Sequence, residues 1–483
     1  MSESRRFGGA ELILLLIVLA AAAGTRFWYL WECADHAQKE GPLQVQDAWP
    51  VLRGLPAGTE LRGQKPPNEL DALVHNLKED HWFGCLAPLA MTEERTAHLA
   101  PGYPWLLSWL ERSPVDLGPT DRTVRWMQCG LGSLTAALYF LFAFRAFGSR
   151  LVAFLAGILC AVHPFWIVNT AEINDGVLVS FLLALSLYLG ASGGQSGAAF
   201  TSLLYGLSLA ALALVRAAFL PFAVVALVWF LLHCRTFRRG WLCGLLAFLG
   251  LANGLTFWTI RNYRVPDWPG HVVPIADSTY LHLWIGNNPR STGGPQSEQL
   301  VIETLAQARG ETPSATAEHL AALNQRERYH QMGPEVWAQV QNDPAGTLRR
   351  RISSGLCFVL GEKWFKDGTL WLARDQDNRD LPGWFINSYP TIFYAAVLAL
   401  LGLGMLGWRW SYGFRTSSMP AALAVFWIAL PYVFSHAESL SGPRLPLDGV
   451  FLTYAAFAVG CLVPTVSGVL FHGARTETAS KIR

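Results

Sequence analysis

The sequence predicts an all-α polytopic membrane protein of about ten transmembrane helices, with external loops that carry amphipathic helices. Three observations carry that prediction. The apolar residues, 52% of the 483, come in long unbroken blocks instead of alternating with polar ones at helix or strand period. Arginines and lysines return in every second loop, as the excess of positive charge on the cytoplasmic side of a membrane requires. Two segments of about 90 and about 130 residues, opening at Trp31 and at Arg261, are far longer than ordinary connections, and such segments usually fold over a site.

The first apolar run lies behind Arg5 and Arg6 and, with Ala21, Ala22, Ala23 and Gly24 near its end, has the look of a signal peptide. Many further spans follow, so it reads as a retained signal-anchor. In order, the expected spans are 12–30, 124–144, 151–170, 177–189, 198–215, 217–232, 241–260, 392–408, 419–434 and 450–471. Alternate crossings from an inside N-terminus put Arg145 and Arg150 inside, then the neutral hinge 190–197, then Arg235, Arg238 and Arg239. Arg409, Arg415 and the tail with Arg475, Lys481 and Arg483 follow on the same side. Counting the moderately apolar stretch 352–365 as a crossing would send those last two groups outside, so it is expected to lie as an amphipathic helix at the outer interface. The chain then divides into a first span (1–30), a first external loop (31–123), spans two to seven (124–260), a second external segment with the interfacial helix (261–388), spans eight to ten (389–471) and a cytoplasmic tail (472–483).

Eight cysteines are scattered without a C-x-x-C pair, several of them inside apolar runs, so neither a disulfide framework nor a zinc site is indicated and they read as packing residues. No basic patch interleaved with aromatics points to nucleic acid. No cofactor is called for, and a divalent metal is not indicated.

The ionisable residues of the spans collect at one depth. Arg26 lies near the outer end of the first span; Asn169, Glu172 and Asp175 (NTAEIND) fall in the outer turn after the third, the two acids at a spacing that shares a helical face. Arg216 stands between the fifth and sixth spans, and His436, Glu438 and Arg444 (SHAESLSGPRLPLD) between the ninth and tenth. The seventh span stops abruptly at Arg261, Asn262 and Arg264 (WTIRNYRV). Charges at membrane depth are costly and are usually functional or paired. A cluster of arginines there suits a lipid-attached phosphate, whose oxygens match the guanidinium fork. The plainer reading is a set of interfacial ion pairs, Glu172 with Arg216 for example, that stitch helices together. In the first external loop, His98 and Tyr103 belong to the turn-and-helix phrase TAHLAPGYPWLLSWL, where His98 is either a headgroup ligand or a satisfied surface histidine.

Four stretches carry a likeness to a known family: Arg26-Phe-Trp-Tyr-Leu, H-L-A-P-G-Y-P at His98 to Pro104, W-T-I-R-N-Y-R-V at Trp258 to Val265 with L-W-I-G-N-N-P ending in Asn287, Asn288 and Pro289, and R-L-P-L-D at Arg444 to Asp448. On these the chain resembles the C-type (GT-C) integral membrane glycosyltransferases, the group that includes protein O-mannosyltransferases and bacterial lipid A aminoarabinose transferases. The resemblance implies transfer of a sugar from a polyprenyl-phosphate donor to a hydroxyl on a lipid, glycan or protein, with inversion, on the external face of a bacterial inner or plasma membrane. It implies an acidic general base in the first external loop, often an Asp-Glu pair; none occurs between Trp31 and Ala100, and the candidates are Asp47 (LQVQDAWP) and Asp35. A carboxylate near the bilayer surface has a raised pKa that suits proton abstraction. The substrate-binding residues expected are Arg26, His98, Tyr103, Glu172, Asp175, Arg216, Arg261, Asn262, Arg264, Asn287, Asn288, His436, Glu438 and Arg444. A transporter or flippase for a lipid-linked anion would also gather charges in a bundle, but tends to show paired halves with broken helices at the midplane, which this sequence does not.

Overall fold

The computed structural model describes residues 7–31, 73–74, 76–77, 83–86, 89, 93–110, 122–171, 173–196, 198–234, 240–265, 271–360, 402–411, 415–436 and 444–462. Long apolar runs with few helix breakers give α1 (Gly9–Tyr29), and, after two three-residue strands, the short α2 (Gly102–Leu110). The strands, β1 (Gly84–Leu86) and β2 (Glu93–Arg95), pair antiparallel with Cys85 opposite Glu94, a small β element that the all-α expectation did not include. There follow α3 (Arg122–Phe147), α4 (Arg150–Ala161), α5 (Pro164–Asn169), α6 (Gly176–Ser196), α7 (Ala199–Val215), α8 (Leu220–Cys234) and α9 (Gly240–Tyr263).

Among the described residues seven helical stretches are long and apolar enough to cross a bilayer: those in α1, α3, α6, α8 with its leading turn, α9, and two late helices, α16 (Arg415–Phe434) and α17 (Leu445–Leu462). Two more, α4 and α7, are apolar but shorter. The expected third span, 151–170, is not one helix. Pro164 has no N–H to donate and starts α5 afresh, while the His163 ring accepts the Trp166 N–H at 3.3 Å as a cap. The expected eighth span lies mostly outside the described residues; its end, the helix 402–410, packs Gly404 and Gly407 against the backbone of Phe451 and Tyr454 of α17.

Small residues let the helices meet closely, since in lipid packing, not water release, drives association. At the α7–α9 crossing a Cβ on Gly250 would lie 2.5 Å from the Leu203 carbonyl oxygen, so only glycine fits there. Exposed tryptophans gather at both ends of the bundle, Trp28, Trp105, Trp109 and Trp126 at one and Trp241, Trp408 and Trp410 at the other, the arrangement of two interfacial aromatic belts.

Between α9 and α16 the chain folds a helical cap: α10 (Thr279–Asn287), α11 (Glu298–Arg309), α12 (Pro313–Ala321), α13 (Gln325–His330), α14 (Met332–Asn342) and α15 (Pro344–Leu360). Its boundaries are written locally. Ser297, Thr312 and Asn324 each accept a first-turn N–H through the side chain, Pro313 opens α12, and Gly310 ends α11 at φ 70°. The cap has its own core of Leu281, Trp284, Ile285, Val301, Leu305, Leu320, Tyr329 and Met332.

Candidate functional site

The helix ends on the cap side bring together residues far apart in sequence, through contacts that can be followed one to the next. In the break after α4, the carbonyls of Cys160 and Ala161 have no helical donor, and the fully buried Arg26 of α1 supplies one: its guanidinium donates to Ala22 O at 3.0 Å, Ala161 O at 2.9 Å and Cys160 O at 3.4 Å. A Cβ on Gly132 of α3 would sit 2.7 Å from Arg26 Nε and 3.0 Å from Thr170. Thr170 O accepts from Gln128, which accepts in turn from the Tyr103 hydroxyl at 2.9 Å. Next to Tyr103, Gly102 stands where a Cβ would be 2.9 Å from Leu214 O, so the start of α2 is laid against the end of α7. There Arg216 holds Asp175 through both fork nitrogens, Nε to Oδ2 at 2.8 Å and Nη2 to Oδ1.

One expectation is corrected: Asp175 is not on a helix but in the turn before α6, where Asn174 donates to Asn169 and accepts the Gly176 N–H. Glu172 itself lies outside the described residues, as do Asp35, Asp47 and Glu438.

A second group fixes the segment 96–98. Arg261, stacked over Trp258 and Phe83, donates to Thr96 O at 3.0 Å and Phe83 O at 2.6 Å. Asn262 donates to Val273 O and Ile275 O. Arg264 is exposed, one residue past the end of α9. His98 is not a surface histidine: it is 5% exposed, its Nδ1 lies 3.0 Å from the Tyr329 hydroxyl, and its ring stacks on His282. His282 Nδ1 in turn lies 3.0 Å from His436 Nε2. Burial, which disfavours the charged ring, holds His98 down to about 3 and His282 to about 4, with each other's proximity and Arg328 adding to the effect at His98. Asn287 and Asn288 also serve the backbone, Asn287 donating to Leu283 O and Phe434 O, and Asn288 closing the loop to Gln296.

A third group ties α17 to the α4–α5 break. Asp448, fully buried, accepts from Arg444 Nε at 2.9 Å and pairs with His163 Nε2 at 3.2 Å, while Arg444 also donates to Val359 O of α15. Trp166 Nε1 donates to Leu445 O. Sequence reasoning did not single out His163, Asp448 or His282, nor Arg351, which donates from α15 to Val433 O, Ser435 O and Gly286 O. The signal for Asp448 was its four-residue spacing from Arg444 on a helix; Arg351 had none beyond its place in an arginine run. No group of three or more His, Cys, Asp or Glu that could hold a metal occurs among the described residues.

No protein-family model and no curated protein sequence matches the chain. Solved structures do. The archaeal oligosaccharyltransferase AglB from Archaeoglobus fulgidus, in complex with an inhibitory peptide and a dolichol-phosphate, matches at a TM-score of 0.51 and 13% identity over 95% of this chain and 51% of that one. The apo form of the Archaeoglobus fulgidus oligosaccharyltransferase matches at 0.50 and 13%, over 96% and 52%. The chain shares the fold of these oligosaccharyltransferase structures. Its likeness to AglB lies in the fold, and it spans about half the length of the oligosaccharyltransferase chains it matches.

Proposed function

We propose that the chain is a membrane glycosyltransferase that moves a sugar from a polyprenyl-phosphate donor to a hydroxyl acceptor, on a lipid, glycan or protein, at the external face of the membrane. The observation that supports this reading most is the gathering of the ends of α1, α3, α4, α6, α7, α9, α16 and α17 into one polar floor beneath the segment 96–104 and the cap. The GT-C fold agrees with it, and AglB, a protein of that fold, carries a dolichol-phosphate. The full crossing count would be ten, with α4 and α7 completing two spans and the helix 402–410 ending the eighth.

In this reading the cationic contacts for the lipid phosphate come from Arg264, exposed at the end of α9, and from Arg216, which Asp175 orients by its two-point grip. Arg26, Arg261 and Arg351 serve instead as carbonyl clamps that hold the floor and cap in register. Asp47, with Asp35 as the alternative, takes the proton from the acceptor hydroxyl as its oxygen attacks the anomeric carbon; the bond from that carbon to phosphate oxygen breaks, and the lipid phosphate leaves as an anion. A single displacement inverts the centre. α15 lies at the outer interface, with Leu348, Ile352, Leu356 and Val359 forming an exposed apolar stripe at i, i+4, i+8 and i+11.

The test is mass spectrometry of surface glycans and lipids in cells with and without the gene, complemented by wild type and by Asp47→Asn. One glycoform is expected to vanish without the gene and to return only with wild type. Accumulation of an unmodified lipid-linked anion on the inner leaflet, with no glycoform lost, would favour a flippase.

A further inference from the structure

Arg26 has a nitrogen left over. Nη1 and Nη2 reach three helix carbonyls, but Nε, buried at 0% residue exposure, meets no acceptor among the described residues. A charged N–H so deep is costly to leave unsatisfied, because it has given up water without gaining an acceptor. Gly132 faces it without a side chain, and the two line a small cavity with Thr135, Trp166, Asn169, Thr170, Val177 and Ser180.

The chemistry of that lining selects the occupant. The Thr135 hydroxyl gives its proton to Leu131 O at 2.7 Å, the Ser180 hydroxyl to Gly176 O at 2.7 Å, and the indole of Trp166 to Leu445 O. The hydroxyl oxygens therefore have lone pairs to offer and no proton. A water, which accepts one hydrogen bond and donates two, matches Nε–H and the two hydroxyl oxygens, and the cavity has room for about one such small molecule.

We propose that this cavity is a binding site for a single ordered water, which accepts from Arg26 Nε and donates to the hydroxyls of Thr135 and Ser180. It joins α1, α3 and α6 at the α4–α5 break and makes Arg26 a hydrated structural clamp, not a contact to substrate phosphate. The inference stands independently of sugar transfer. Gly132 is required because any Cβ there would occupy the path from Nε into the cavity.

A reconstruction of the detergent- or nanodisc-embedded protein at about 2 Å tests it: a compact peak about 2.7–3.2 Å from Arg26 Nε is expected. An empty cavity, an Arg26 rotamer that bonds Nε to protein, or density too large for water would each overturn it. A second measurement does not depend on resolution. Thr135→Val keeps the volume and removes the acceptor, and is expected to lower Tm by about 2 °C, while Thr135→Ser leaves it unchanged. Equal Tm for the two variants would overturn the proposal. Exchanging chloride for bromide, phosphate or gluconate is expected to leave Tm unmoved in wild type; a shift that disappears in Gly132→Ala would assign the site to an anion.

Discussion

At the scale of single residues, arginine is used here chiefly to hold backbone. Arg26 and Arg351 donate to carbonyls that helix ends leave without partners, and Arg261 to two carbonyls of the chain beside the strands. A guanidinium offers five donors and no acceptor, which suits it to carbonyls as well as to phosphate, and sequence pattern cannot tell the two apart. The distinction is open to experiment. Arg261→Lys, which cannot span two carbonyls and loses its stacking on Trp258, is expected to lower Tm by about 2–4 °C, whereas Arg264→Lys leaves Tm unchanged and weakens donor binding, read as a rise in KM for the lipid-linked sugar. The buried histidines give a pH dependence whose sign is fixed by their depressed pKa values. Unfolded histidine binds a proton near pH 6.5, folded His98 and His282 only near 3 and 4, so stability is full above about pH 6.5 and falls as the pH is lowered toward 4. Thermal melts between pH 7.5 and 4.5 check this: the curve is expected to flatten in His282→Gln, and an unchanged slope would remove the histidine from the account.

At the scale of elements, two interfaces bear the argument. The α7–α9 crossing brings backbones into contact at Gly250, so Gly250→Val, whose side chain has nowhere to go, is expected to abolish accumulation of folded protein, as followed by size-exclusion fluorescence. Gly254 faces the Ala210 methyl at 2.4 Å, an atom fixed to its own backbone, so a side chain there also has to part α7 from α9. α15 turns Arg351 and Ser354 inward to the end of α16 and its apolar stripe outward. A fluorophore at Ile352→Cys is expected to be quenched by lipids brominated in the acyl chain and protected from iodide; quenching by iodide alone would place α15 in water.

At the scale of the whole molecule, the crossing pattern predicts that reporters fused after Cys234 and after Pro313 read opposite sides of the membrane, and agreement between them would break the topology. Much of that architecture was legible in the sequence. The boundaries of α1, α3, α6, α8 and α9 follow from apolar runs and flanking charge, because lipid forces every spanning backbone to satisfy its hydrogen bonds within the helix, leaving composition and length as sufficient signals. The cap helices were legible at their ends, from Ser297, Thr312, Asn324 and Gly310. What the sequence by itself determined is therefore the class of fold and the common depth at which its polar residues gather. Tertiary structure alone decided their partners: Asp175 for Arg216, His163 for Asp448, backbone carbonyls for Arg26, Arg261 and Arg351. Each of these partners reached across the fold arrives through packing of other helices, and a local pattern of charge and hydropathy records how deep a side chain sits but not what it meets there.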